Sequence, residues 1–69
     1  MNALEKEFEQ RKHGIKKSVE LLFKANMKFT DWDIPEVDDE EASKILINII
    51  KEAVEEIERD IQNGKYSNY

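Results

Sequence analysis

The chain has no cysteine, and its 69 residues include one histidine, one proline, one tryptophan and two glycines. Without thiols there can be no disulfide, no thiolate metal site and no thiol redox chemistry, and a reducing cytosol is the natural setting. His13 as the sole imidazole leaves the usual zinc ligand sets unassembled, and no glutamate is followed by histidine at the spacing a di-iron bundle uses. Nucleophilic catalysis also lacks parts, because a nucleophile needs a base beside it and a third group to orient that base. His13 sits next to Gly14 among Arg11, Lys12, Lys16 and Lys17 and reads as a solvent-facing helix residue. Glycine scarcity removes phosphate-cradling loops. It also removes a calcium loop from the acidic run between Asp31 and Glu41, which contains no glycine at all. No apolar run approaches the roughly 20 residues of a membrane span, and acidic residues stand where a secretory signal would carry a basic head. The expected protein is soluble, cytoplasmic, not an enzyme, and free of metal and cofactor.

What is abundant is aliphatic side chain in one place. Ala42, Ile45, Leu46, Ile49, Ile50, Ala53, Val54, Ile57 and Ile61 recur at steps of three and four, which lays a broad apolar stripe along one helix. Ile47 falls outside that stripe. Between Ile45 and Ile50 the helix is apolar over more than half its circumference, and a chain of this length offers little to cover it. Short chains bury a small share of their surface, and with disulfides and structural metals excluded the remaining stabilising device is oligomerisation. Ile45, Leu46, Ile49, Ile50, Val54, Ile57 and Ile61 are the expected core and dimer residues.

The flanking segments supply the rest of one small helical domain spanning 1–69. Asn2 followed by Glu5 has capping-box spacing and starts a first helix. Leu4, Phe8, Ile15, Val19, Leu22 and Phe23 share a face, weakened where Arg11 and Lys12 interrupt it. Gly14 adjoins that weak point and costs about 1 kcal/mol relative to alanine, so a kink or fray is expected there, with 1–13 as a loose arm. From Lys28 to Val37 the apolar period stops, and Pro35 disfavours helix at Ile34. The segment is expected to be an ordered loop folding Phe29 and Trp32 over the open end of the helix pair, with Trp32 as an exposed docking aromatic the alternative. Asp38 and Glu41 repeat the capping-box spacing at the start of the second helix, and Asn63 with Gly64 terminates it. Residues 65–69 read as a mobile tail. The expected fold is all-α, an antiparallel helical hairpin that dimerises into a four-helix bundle.

Charge is divided. The net charge of -5 comprises +3 on residues 1–28, with seven basic and four acidic side chains, and -8 on residues 29–69, with four basic and twelve acidic ones. The basic cluster Arg11, Lys12, Lys16 and Lys17 is too short and too opposed for direct nucleic-acid binding and is expected to pair with acidic side chains of the second helix or of a partner subunit. Glu55 and Arg59 have the spacing of a surface ion pair.

An acidic chain suits a basic partner. The main expectation is a regulatory binding protein that engages a basic macromolecular surface through Asp38, Asp39, Glu41, Glu52, Glu55 and Glu56, in its sharpest form as a DNA mimic. The balance of size and charge resembles that of small acidic phage-encoded inhibitors, a likeness of composition that rests on no motif. The alternative is an adaptor, dimerisation or antitoxin-like module that places the apolar surface of the second helix in a partner's groove.

Overall fold

Helix formation starts at Asn2, whose side chain accepts a hydrogen bond from the Glu5 backbone N–H at 2.8 Å. The computed structural model describes residues 2–68. Met1 and Tyr69, the ends of the expected N-terminal arm and tail, lie outside the described residues. Helix α1 runs from Ala3 to Asp33 without interruption, so no break occurs at Gly14. The Ser18 hydroxyl donates to the Gly14 carbonyl at 3.0 Å. A Cβ added at Gly14 would meet nothing within 4 Å, which makes Gly14→Ala a stabilising change. An increase of about 0.5–1 kcal/mol in urea unfolding is expected, through lower entropy of the unfolded chain and better helix propensity.

α1 extends further than the apolar pattern suggests. Phe29 and Trp32 lie on its last turns, and the expected Phe/Trp-containing loop shrinks to Ile34–Asp38. Loss of apolar period is not loss of helix. Asn26 donates its amide to the Leu22 carbonyl and Thr30 its hydroxyl to the Asn26 carbonyl, both at 2.9 Å, so polar side chains that compete with helix elsewhere here bond back onto the preceding turn. Ile34, ahead of Pro35, is the first residue driven out of the α region, at φ -131° and ψ 82°.

Helix α2 spans Asp39–Gln62, with the Asp38 carboxylate accepting from the Glu40 N–H at 3.0 Å and not from Glu41 as the capping-box spacing implies. Its C-terminus follows expectation. Gly64 takes φ 81°, donates to the Ile61 carbonyl at 3.1 Å, and lets Lys65 N–H reach the Asp60 carbonyl at 3.0 Å. That pair of bonds is a Schellman motif, and glycine is needed for its left-handed residue. Residues 63–68 continue as turns, with Lys65 Nζ 3.4 Å from the Asp60 carboxylate.

The two helices form a hairpin that stays open. α1 alone is about 46 Å long at 1.5 Å per residue, which accounts for the longest extent of 49 Å. Two helices packed side by side at 8–10 Å would make the Cα trace roughly 15 Å wide, yet the second extent is 28 Å. The helices therefore meet near the loop and diverge. Apart from Asp60, beside Lys65 at the far end of α2, the partly covered side chains cluster at that vertex: Phe23, Met27 and Thr30 on α1, Val37 in the loop, and Ala42, Ser43, Leu46 and Ile50 on α2. Among the described residues none is buried.

Candidate functional site

Apolar surface without cover dominates the molecule. The accessible area is 6423 Å², whereas a compact monomer of 8.2 kDa would expose about 4,500 Å². The excess of roughly 1,900 Å² is comparable to what one subunit contributes to an obligate dimer interface. The radius of gyration tells the same story, at 16.1 Å against about 11 Å for a compact chain of this length.

This surface has a definite layout. At the vertex, Val19 and Phe23 of α1 line a cleft with Ile47 and Ile50 of α2. Ile47, outside the expected stripe, is therefore turned toward α1 and is 38% exposed, while Ile45 and Ile49, inside the stripe, are each 55% exposed. Ile45 and Ile49 flank a second groove with Leu46, Ile34 and Val37. The reason is geometric: a stripe this wide cannot all face one neighbouring helix, and the loop sets α1 toward the Leu46, Ile47 and Ile50 side. Farther from the vertex, Leu4, Phe8 and Ile15 of α1 form an open trough lined by no residue of α2. Val54, Ile57 and Ile61 on α2 are about half exposed. The arms of the hairpin thus hold apolar faces that nothing within the chain covers.

The acidic residues are spread over several places. Asp38 caps α2, and Asp39 stands next to Asp31 at the end of α1. Glu41 borders the groove at the vertex. Glu52, Glu55 and Glu56 are exposed on the second half of α2. Eleven residues, about 16 Å of helix, separate Glu41 from Glu52, against one phosphate per 3.4 Å of a DNA strand. By helix period Lys44, Lys51 and Arg59 share that side, and Lys44 already bridges Glu40 at 3.3 Å. The Glu55–Arg59 pair implied by spacing is not formed, and no ion pair joins α1 to α2 among the described residues. Of the basic cluster, Lys16 reaches the cleft beside Ser43 and Lys44 of α2, and no member pairs with a carboxylate of α2 among the described residues. Lys17 instead shares Glu20 with Lys24, at 3.7 and 2.7 Å, and the Lys24 hydrogen bond leads in holding the Glu20 carboxyl below its ordinary range.

One carboxyl is shifted the other way. A hydrogen bond to the Asp39 carboxylate, then partial desolvation, then repulsion by Asp39, raise the Asp31 carboxyl above its ordinary value of 3.8. A raised acid in the folded state contributes stability that is complete below the ordinary value and is lost as pH rises through the raised one. At neutral pH the two charges oppose one another across the loop, and Asp31 also sits at the negative end of the α1 dipole. Asp31→Asn should therefore raise the urea midpoint at pH 7, with the gain vanishing below about pH 4.

Trp32 is 85% exposed and does not fold over the helix pair. Sequence periodicity also passes over Leu21, Ala25 and Phe29, which lie with Trp32 on the far side of α1. A second apolar line, offset by roughly 100° about the helix axis from the first, was the available signal. No helix among the described residues is long and apolar enough to cross a membrane, and no group of three or more His, Cys, Asp or Glu among them could hold a metal ion. Comparison with protein-family models, with curated proteins and with solved structures finds no match.

Proposed function

We propose that the protein is a non-enzymatic helical interaction module that acts through its apolar surface, with a second copy closing the open hairpin into a four-helix bundle. The observation that carries this reading is the exposed area of 6423 Å² in a chain with no buried residue among those described. A symmetric pairing would cover the arms formed by Leu4, Phe8 and Ile15 on one side and Val54, Ile57 and Ile61 on the other. The uncovered area, comparable to one subunit's share of an obligate dimer interface, supports a second copy as the occupant.

Sedimentation equilibrium at micromolar concentration should give about twice the 8.2 kDa chain mass. The association should change little between low and high salt, because apolar burial is not screened. A monomer at every concentration overturns the proposal.

A second reading retains the acidic side of α2 as a surface for a basic partner, supported by the exposure of Glu52, Glu55 and Glu56. It ranks lower because of the gap after Glu41 and the interleaved Lys44, Lys51 and Arg59. In that reading, replacing Asp38, Asp39, Glu55 and Glu56 by their amides abolishes competition with DNA for a basic DNA-binding protein and leaves helicity and mass intact.

A further inference from the structure

The far end of α2 holds the chain's single Asn-Gly pair. Of the five asparagines, Asn2 precedes Ala3, Asn26 precedes Met27, Asn48 precedes Ile49 and Asn68 precedes Tyr69, so that Asn63 alone precedes a glycine. The neighbour matters because a residue without Cβ leaves its backbone nitrogen uncrowded and free to turn. That nitrogen can then close on the asparagine Cγ to form a five-membered succinimide, the main route by which asparagine is thermolabile. Asn63 is exposed, and its side-chain amide makes no hydrogen bond among the described residues. Asn2 and Asn26 differ, since the first caps α1 through its side-chain oxygen and the second donates to the Leu22 carbonyl.

The folded geometry holds this reaction off. Ring closure requires the Gly64 nitrogen to eclipse Asn63 Cβ about the Cα–C bond, but at ψ 6° it nearly eclipses the Asn63 backbone nitrogen instead. The Gly64 nitrogen is also committed, because its N–H donates to the Ile61 carbonyl at 3.1 Å while the Lys65 N–H donates to the Asp60 carbonyl at 3.0 Å. Turning ψ of Asn63 to the reactive position swings the following residues off the helix end. Both bonds then break, together with the 3.4 Å contact between Lys65 Nζ and the Asp60 carboxylate. Attack therefore waits until the last turn of α2 opens. Helix ends open at low free energy, and Ile57 and Ile61 behind this one are about half exposed.

We propose that Asn63 is a site of spontaneous covalent modification, deamidation through a succinimide, whose rate is set by the opening of the last turn of α2. In the open state the Gly64 nitrogen gives up its proton and bonds to Asn63 Cγ, and the side-chain nitrogen takes up a proton and leaves as ammonia. One water then opens the ring. Cleavage of the new Cγ–N bond gives aspartate, and cleavage of the original backbone C–N bond gives isoaspartate, in which the main chain runs through the side chain. Isoaspartate lengthens the main chain by one carbon ahead of Gly64. The Gly64 and Lys65 N–H groups then fall out of register with the Ile61 and Asp60 carbonyls, so the Schellman motif cannot re-form. The modification does not depend on the dimer.

Ageing the intact chain in neutral buffer at physiological temperature, followed by peptide mass spectrometry, tests this. Residue 63 should turn from amide to acid while Asn2, Asn26, Asn48 and Asn68 stay unchanged over the same interval. Isoaspartate, detected with an isoaspartyl methyltransferase, should exceed aspartate. In unfolding urea at the same pH the conversion should run roughly tenfold faster or more, because the opening step is removed. Gly64→Ala separates the succinimide from direct hydrolysis by water. Alanine is strained at φ 81° and favours the open turn, yet its Cβ crowds the attacking nitrogen, so conversion at Asn63 should slow. Equal rates in buffer and in urea overturn the proposal, as does an Asn63 that stays intact in buffer for as long as the unfolded chain takes to convert fully. Earlier conversion of another asparagine, aspartate without isoaspartate, or faster conversion in Gly64→Ala overturns it as well.

Discussion

Ile57→Glu is expected to convert the protein into a monomer at micromolar concentration and to remove much of its helicity. In a single chain this change costs little, because Ile57 is 48% exposed and lies about two turns beyond Ile50, past the point where the helices touch. A new carboxylate there reaches water. Within a dimer closed over the arms, the same carboxylate is buried without a partner, at a cost of about 3 kcal/mol or more, which is over roughly a hundredfold in dissociation constant. Symmetry applies that cost in both subunits. Helicity follows association, because helices of this length draw most of their stability from packing. Sedimentation and far-ultraviolet circular dichroism at several concentrations provide the check. A variant that sediments and melts like the parent would place Ile57 in water and remove the arms from the interface.

Phe23→Ala should destabilise the fold by about 2 kcal/mol in urea unfolding at fixed protein concentration. Full burial of a phenylalanine would give about 3–5 kcal/mol, and Phe23 is only partly covered, so the lower figure is appropriate. Phe23 and Ile50 line the same cleft, and their alanine variants should couple by about 0.5 kcal/mol or more in a double-mutant cycle. Effects that add without coupling would show that the helices do not meet where the partly covered side chains cluster.

The parts of this protein legible in its sequence are those decided over a few residues. Asn2 and Asp38 mark helix starts because a side-chain oxygen satisfies free N–H groups within three positions. Pro35 ends α1 by steric exclusion at its immediate neighbour, and Gly64 ends α2 because its missing Cβ permits a positive φ. The apolar run from Ala42 to Ile61 announces a helix in need of cover for a similarly local reason, the match between spacing and helical period. Where reading failed, it mistook one local signal for another. The apolar pattern fades after Lys28 while hydrogen bonding persists to Asp33, so Phe29 and Trp32 belong to α1.

The direction of α2 relative to α1 is another matter, since it depends on the backbone of Ile34–Asp38 and on contacts between residues distant in sequence. That direction separates the apolar side chains into those that meet at the vertex, such as Phe23, Leu46 and Ile50, and those that do not. It turns Ile47 inward, leaves Ile45 and Ile49 exposed, and pairs no carboxylate of α2 with the basic cluster of α1 among the described residues. Periodicity assigns each residue an angle about its own helix axis and carries no information about the angle between two axes. Only the tertiary structure could therefore decide that this hairpin stands open, with its apolar arms uncovered.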